Sequence, residues 1–318
     1  MKGTSYSSII AWLTALFICL FPLTGHGSGA RIAMFLWSGE TKAEEGFRDV
    51  LAEEFPEQAP TYTLFDVTKD MDCLERHLED FDEIQYDLIY TFGSKVTSEI
   101  AGRYTKPPIV FDIVFDPVGY GIIESWDMKQ PNLTGASNAV PADIQIEKMR
   151  EVFGEGAIGF IYNPADEKSV QLKEAMERYL EQAGSILLPF EFRNNFRPLR
   201  SYLERVSNQA VCIYLPSEWS ISKYVSRIIS EGTRRKIPTC VTSISYLRKK
   251  ALLCISAEYY NVGRMAGALA ARILKGDDPA DLPVRRPSAT DVKLYINSST
   301  AKRLRMQFPP ELDVTYIK

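Results

Sequence analysis

The sequence predicts an α/β protein made of two similar halves, each with a mostly parallel sheet. Strand-like runs and amphipathic helices alternate along most of the chain, which is typical of βαβ units. The strand-like runs are continuously apolar, as expected when helices cover both faces of a parallel sheet. With 318 residues, 45% hydrophobic and 25% charged, the chain is long enough for two cores.

The first half contains four predicted strands separated by three predicted helices. The strands are Arg31–Trp37, Thr61–Phe65, Asp87–Thr91 and Pro108–Val114, and the helices are Thr41–Glu54, Asp70–Phe81 and Ser94–Tyr104. The segment Met128–Pro141 is rich in Pro, Asn and Gly, so we predict that it is the first crossover to the second half.

Residues 138–256 repeat this scheme. The predicted strands are Ala157–Tyr162, Ser185–Pro189, Ala210–Leu215, Pro238–Val241 and Leu252–Ser256, and the helices are Asp166–Gln182, Phe196–Ser207, Glu218–Glu231 and Ser243–Arg248. A long helix is then predicted from Val262 to Leu274, ending at Gly276, and a tail punctuated by prolines follows it.

The first thirty residues have the order of a secretory signal peptide. Lys2 precedes the apolar run Ile9–Leu23, and small residues ending in Ser28-Gly29-Ala30 follow it. The alternative is a membrane anchor, but a run of about 15 residues is shorter than the roughly 20 that span a bilayer. We therefore expect export, cleavage, and a periplasmic form that starts near Arg31.

Charge and histidine content argue against several classes of function. Acidic and basic residues are interspersed in a chain of formal net charge −4, so no basic face for nucleic acid is expected. Once the predicted leader is removed, His77 is the only histidine, which argues against a Ser-His-Asp triad and excludes multi-His metal sites. Nucleophile-elbow and phosphate-loop motifs are absent. We expect no enzyme activity, no cofactor and no metal.

Four cysteines remain after the leader, and three of them lie in predicted strands: Cys212, Cys240 and Cys254. Export permits disulfides, but neighbouring parallel strands seldom hold two cysteines in bridging geometry. Free buried thiols are therefore the favoured interpretation for these three, and a thiol packs well in an apolar strand.

Ligands of open α/β sheets bind at the carboxyl ends of the strands, where loops run into helix N-termini. Hydroxyl residues, glycines and aromatic residues recur in these loops, which suits a small polar or zwitterionic ligand. The serines among them are also typical helix caps, and Asp116 could accept backbone N–H bonds in an Asx-type turn. The candidate ligand-binding residues are Ser38, Gly39, Ser94, Lys95, Asp116, Asn163, Ser217, Glu218 and Ser243.

Several of these residues lie in runs with a family likeness. Pro108-Ile109-Val110-Phe111, then Asp116-Pro117-Val118-Gly119-Tyr120-Gly121, then Asn132-Leu133-Thr134-Gly135 resemble the signature of ABC-transporter substrate-binding proteins related to the tryptophan/tyrosine uptake type. Ile273-Leu274-Lys275-Gly276 and the prolines after it resemble the C-terminal pattern of that family. The resemblance covers residues 31–312.

Three positions depart from the family pattern. Lys129-Gln130-Pro131 stands where family members usually carry Pro-Gly-Gly, and Lys249-Lys250 stands where Gly-Ala is usual. Lys95 occupies a loop that is usually small and apolar. We therefore expect the rim of the pocket, and with it the ligand, to differ from those of the relatives.

The resemblance implies a periplasmic-binding-protein type I fold, with two Rossmann-like lobes and a cleft between them. It implies three crossovers, so that lobe 1 is 31–135 plus about 258–285 and lobe 2 is 136–257 plus about 286–318. The implied function is that of a monomeric solute-binding protein that delivers a small polar or amino-acid-like ligand to an ABC permease and ATPase. The alternative is a periplasmic sensory module that presents its ligand to a membrane histidine kinase or chemoreceptor.

Overall fold

The computed structural model describes residues 29–127, 129–217 and 219–318, apart from the side chains of Trp219 and Ser220. Within these residues the chain forms a five-stranded sheet followed by a seven-stranded sheet. The predicted signal peptide, except Gly29 and Ala30, lies outside the described residues. None of the helices described combines the length and the apolar character needed to cross a membrane.

The first sheet is parallel throughout, with the strand order β2-β1-β3-β4-β5. The central strands bury nearly every side chain, whereas the edge strand β2 is mostly exposed. All predicted elements of the first half are confirmed, with ends displaced by at most two residues. The elements are β1 (Arg31–Leu36), α1 (Lys42–Glu54), β2 (Thr61–Asp66), α2 (Met71–Glu79), β3 (Leu88–Phe92), α3 (Ser94–Arg103), β4 (Ile109–Asp112) and β5 (Leu133–Gly135).

The second sheet has the order β12-β11-β10-β9-β8-β6-β7, and only the β10–β11 pair is antiparallel. Its strands are β6 (Ala157–Tyr162), β7 (Leu187–Glu191), β8 (Ala210–Leu215), β9 (Thr239–Val241), β10 (Leu253–Ala257), β11 (Val292–Asn297) and β12 (Val314–Ile317). The helices are α4 (Ala142–Phe153), α5 (Glu167–Gln182), α6 (Phe196–Val206), α7 (Trp219–Ser222), α8 (Val225–Arg234), α9 (Ile244–Arg248), α10 (Tyr259–Leu274) and α11 (Ser298–Leu304).

The single helix predicted over Glu218–Glu231 is wrong. A turn at Lys223 and Tyr224 separates α7 from α8. The ring of Tyr224 packs edge-on against Phe192 and Phe196, with ring centroids 5.4 and 5.9 Å away. These aromatic contacts hold the chain in the turn. The apolar periodicity therefore runs through the turn, although the helix is interrupted there.

Helix α10 leaves the second sheet after β10 and packs against α1 and β4 of the first. The two helix backbones approach closely, because a Cβ atom on Gly263 would lie 1.9 Å from the carbonyl oxygen of Ala43. Gly46 of α1 has the same role, since its Cβ would lie 2.2 Å from the carbonyl oxygen of Tyr260. After α10 the chain passes β5, where Ala136 and Arg285 form a parallel bridge, and then enters β11.

The four cysteines in the described part of the chain are unpaired, as predicted for those in strands. Cys212, Cys240 and Cys254 are buried on the adjacent strands β8, β9 and β10. Burial raises the pKa of all three thiols, so they stay neutral and serve as small apolar side chains.

Candidate functional site

A cleft lies between the two sheets, at the carboxyl ends of their parallel strands. Its lining includes Phe115 beyond β4 of the first sheet, and Ser217 and Thr242 beyond β8 and β9 of the second. The cleft consists of a first cavity of about 810 Å³ and a second of about 830 Å³, and these three residues line both. Volumes of this size are typical of small-molecule pockets.

Four of the predicted site residues line this cleft. Ser94 and Asp116 line the first cavity, Ser243 lines the second, and Ser217 lines both. Ser217 Oγ lies 3.0 Å from Thr242 Oγ1, so two hydroxyl groups meet where the cavities join. Ser243 is also the N-cap of α9, because its Oγ accepts the Ser245 N–H at 3.3 Å.

The other predicted residues do not line either described cavity. Gly39 has a φ of +65° and donates its N–H to Asp66 Oδ1, and its neighbour Ser38 is not the cap of α1, which is Thr41. Lys95 Nζ lies 5.3 Å from the centroid of the Trp37 ring. Asn163 Oδ1 accepts the Ala165 N–H, and Glu218 lies outside the described residues.

Asp116 forms an ion pair with Lys168 of α5, which joins the two sides of the cleft. Asp116 Oδ1 also accepts the Gly119 N–H at 3.0 Å, so Asp116 both makes a turn hydrogen bond and lines the cleft. The hydrogen bond from Lys168 to Asp116 raises the pKa of the lysine. Gly119 packs beside this pair, and a Cβ there would lie 2.1 Å from Asp116 Oδ2, so a larger residue would displace the ends of the Asp116 and Lys168 side chains.

A basic and aromatic corner of the first cavity was not predicted from the sequence. The Arg286 guanidinium lies 4.6 Å from the centroid of the Trp126 ring, and both side chains line the cavity. Partial desolvation lowers the pKa of Arg286, and the charge of Asp143, which lines the same cavity, partly opposes this; Arg286 forms no ion pair with a described residue. Arg286 comes from the tail after α10, not from a strand end, so no strand-end rule could find it.

Two carboxamide oxygens in the cleft walls have no hydrogen-bond partner among the described residues. Gln145 is only 4% exposed; its Nε2 donates to the Val140 carbonyl, and its buried Oε1 is unpaired. Asn138 Oδ1 is likewise buried and unpaired. Gln145 lines the first cavity and Asn138 the second. A buried unpaired acceptor costs about 1–3 kcal/mol, which a ligand donor would offset.

A fully buried polar cluster lies behind the first-sheet wall of the cleft. Tyr90 Oη lies 2.9 Å from Glu44 Oε1 and 3.0 Å from Asp112 Oδ2, and all three side chains are inaccessible to solvent. A phenol has one proton to donate, so the second contact requires a protonated carboxyl. Glu44 Oε2 also accepts the N–H and the hydroxyl of Thr41.

We assign the proton of the cluster to Asp112, because of its pKa. Burial, and then the charge of Glu44, raise the pKa of Asp112 well above its usual range. The other titratable groups facing it are Tyr90 and Tyr259, whose pKa values burial also raises. Asp112 Oδ1 accepts the N–H of Ile113, a β-branched residue held at a φ of +52°. The cluster thus orients the segment that leads to Phe115 and Asp116 in the cleft.

The family model described as "ABC transporter substrate binding protein" matches residues 35–316, which is most of the chain. The chain belongs to this family. The resemblance seen in the sequence is thereby confirmed, and the described strands and helices have the periplasmic-binding-protein type I architecture. Members of this family bind solutes for ABC transporters and generally work outside the cytoplasm, which favours solute binding over the sensory alternative. The family is one of binding proteins rather than of enzymes.

Relatives of known structure or activity agree with this assignment. The chain is 25% identical to a tyrosine-binding protein of Clostridioides difficile over 87% of this chain and 80% of the relative. A ligand-free, open substrate-binding protein with adhesive properties from Clostridium difficile is 20% identical to this chain. Its TM-score is 0.74, over 91% of this chain and 99% of the Clostridium difficile chain. An L-Trp complex from Streptococcus pneumonia is 20% identical, with a TM-score of 0.61 over 92% and 100% of the two chains.

Proposed function

We propose that this protein captures an amino-acid-like solute in the cleft and delivers it to an ABC permease and ATPase in the inner membrane. The observation that carries the proposal is the pairing, in one cavity, of the unpaired Arg286 guanidinium with the carboxylate of Asp116 and several aromatic side chains. These groups match the α-carboxylate, the ammonium and the apolar body of an amino acid. The names of the relatives, which bind tyrosine or were solved with L-Trp, support this ligand class.

Each end of the ligand has a proposed partner. The α-carboxylate binds Arg286, which stacks on Trp126 and presents its donors to the cavity. The ammonium binds Asp116, in exchange for the Lys168 ammonium that occupies it in the absence of ligand. Ser94 and Ser217 offer hydroxyl groups, and Gln145 Oε1 accepts a further donor.

Binding proceeds by closure of two lobes around the ligand. The proposed lobe 1 is 31–135 with 258–285, and lobe 2 is 136–257 with 286–318. The packing of α10 on α1 supports this division, because α10 follows a strand of the second sheet but contacts the first. A ligand that contacts both sides of the cleft favours the closed arrangement over the open one.

The remaining features of the proposal follow from the leader and the family. The protein is exported to the periplasm, its leader is removed near Arg31, and it acts as a monomer that releases its ligand chemically unchanged. The family, which consists of binding proteins, supports the last point.

Native mass spectrometry of the protein purified from the periplasm tests the proposal. We expect a bound mass that corresponds to one amino acid, and titration should then show that L-tyrosine or L-tryptophan binds much more tightly than tyramine, which lacks the carboxylate. A retained sugar or nucleoside, or equal affinity for tyrosine and tyramine, would contradict the proposed ligand class.

A further inference from the structure

One end of the second sheet carries a concentration of positive charge within an acidic protein. Segments 232–250 and 298–310 together contain nine Lys and Arg residues and no Asp or Glu, although the formal net charge of the chain is −4. They include Lys249-Lys250, the pair that departs from the family pattern. Six exposed cations form the core of this surface, here called the distal basic patch: Arg234, Lys236, Lys250, Lys302, Arg303 and Arg305.

Contacts between three elements make this patch continuous. Lys236, which follows α8, donates to the carbonyl oxygen of Arg303 in α11. Lys250, which follows α9, donates to Ser299 Oγ, and Thr300 Oγ1 donates to the Lys250 carbonyl. The cations of α8, α9 and α11 therefore belong to one surface, not to separate helix faces.

The patch lies at the end of the sheet opposite the cleft. Lys236 and Lys250 come shortly before β9 and β10, whereas the cleft residues Thr242 and Ala257 come after or at the end of these strands. Helix α11 follows the antiparallel β11, whose last residue, Asn297, donates its N–H to the Leu252 carbonyl beside the start of β10. A partner bound to the patch would therefore leave the cleft accessible to solute.

The cations of the patch are largely without anionic partners. Of the six patch cations, only Arg234 forms an ion pair with a described residue, Glu231 at 3.7 Å. Most of the described Lys and Arg residues outside the two segments pair with nearby carboxylates. Like charges that converge without internal partners repel one another, and an external anion relieves that repulsion.

We propose that the distal basic patch binds an anionic phospholipid surface reversibly, so that the cleft faces away from the membrane during solute capture and the protein leaves this surface before it delivers the solute to the permease. A specific protein interface usually has an apolar core, but the exposed large apolar side chains of the described residues all lie outside these two segments. A polar, multiply charged surface suits diffuse attraction to many lipid headgroups, which adds up over several Lys and Arg residues. This inference does not depend on the identity of the solute.

Vesicle sedimentation with the full exported chain tests the proposal. We expect binding to phosphatidylcholine vesicles that contain about 30% phosphatidylglycerol, at least about tenfold weaker binding to pure phosphatidylcholine, and loss of binding at about 0.5 M salt. The triple variant Lys302→Glu, Arg303→Glu, Arg305→Glu should bind the anionic vesicles at least about tenfold more weakly than the unmodified protein.

A matched control separates the patch from net charge. Lys69→Glu, Lys106→Glu and Arg197→Glu change the net charge equally at exposed positions that have no ion pair among the described residues, and this control should keep its binding within about threefold. A second variant, Lys236→Glu with Lys250→Glu, repeats the test if the first fails to fold. Equal losses in the patch and control variants, or equal binding to neutral and anionic vesicles, would overturn the proposal.

Discussion

Replacing Asp112 by Asn changes the proton content of the buried cluster while keeping its hydrogen bonds. The Asn amide can donate to Tyr90 Oη as the protonated carboxyl does, and its oxygen can still accept the Ile113 N–H. Asp112→Asn should therefore fold normally and place the cleft segment as before. Asp112→Ala, in contrast, leaves the buried Ile113 N–H unpaired and should lose about 1–3 kcal/mol of stability at every pH.

The expected effect of Asp112→Asn is a change in how stability depends on pH. Burial raises the pKa of Asp112 when the chain is folded, so the folded state keeps a proton that the unfolded chain releases above about pH 4. The stabilising contribution of this group is complete below about pH 4 and is lost as the pH rises towards the raised pKa of the folded state. One such proton changes the free energy of unfolding by about 1.4 kcal/mol per pH unit.

Urea unfolding at pH 5, 6 and 7, with tryptophan fluorescence as the signal, measures this difference. The stability of Asp112→Asn relative to the unmodified protein should rise by up to about 1.4 kcal/mol for each pH unit within that window. All other titrating groups are common to both proteins, so their contributions cancel in the comparison. Parallel pH profiles for the two proteins would refute the assignment of a proton to Asp112.

Four further outcomes are expected. Asp116→Asn should weaken amino-acid binding by less than about tenfold, because Lys168 already occupies the carboxylate, while the melting temperature of the unliganded protein barely moves, as calorimetric titration and thermal unfolding would show. Arg286→Gln should weaken binding of tyrosine but not that of the weak ligand tyramine, and equal losses would exclude a carboxylate contact. Gly263→Ala, which forces a Cβ into the Ala43 carbonyl, should cost about 1–3 kcal/mol of stability, whereas Gly102→Ala in open space should be neutral or stabilising by up to about 1 kcal/mol, both measured by urea unfolding. Small-angle scattering should show a smaller radius of gyration with saturating ligand, and an unchanged radius would contradict closure.

Periodicity in the sequence predicted the strands and helices with long, continuously buried apolar runs. It failed for elements that bury few side chains or depend on tertiary contacts. The central strands of both sheets are continuous apolar runs, and they were found within a few residues. The short strand β5 and the partly exposed β12 bury too few side chains to give such a run. Helix α4 was missed because its segment follows a Pro- and Gly-rich crossover, although Ile146 and Met149 are on its buried face.

The same difference between local pattern and tertiary contacts explains which cleft residues could be predicted. The rule that ligands meet strand ends located Ser94, Asp116, Ser217 and Ser243, since the chain direction at a strand end is fixed by the sheet. It could not locate Arg286 or Gln145, which enter the cleft from a tail segment and from a missed helix. Their positions depend on how the chain crosses between sheets, which local pattern does not encode.

The Asp116–Lys168 pair limits how much of the ligand specificity the ammonium contact can supply. A ligand ammonium that binds Asp116 must replace the ammonium of Lys168, so one charge-assisted hydrogen bond is exchanged for another and the net gain is smaller than the roughly 1.5–3 kcal/mol of either bond. Arg286 has no ion pair and Gln145 Oε1 has no hydrogen bond among the described residues, although the charge of Asp143 acts on Arg286. Discrimination between ligands should therefore depend mainly on the carboxylate and on a further hydrogen-bond donor, with Asp116 contributing more to the position of the ligand than to its affinity.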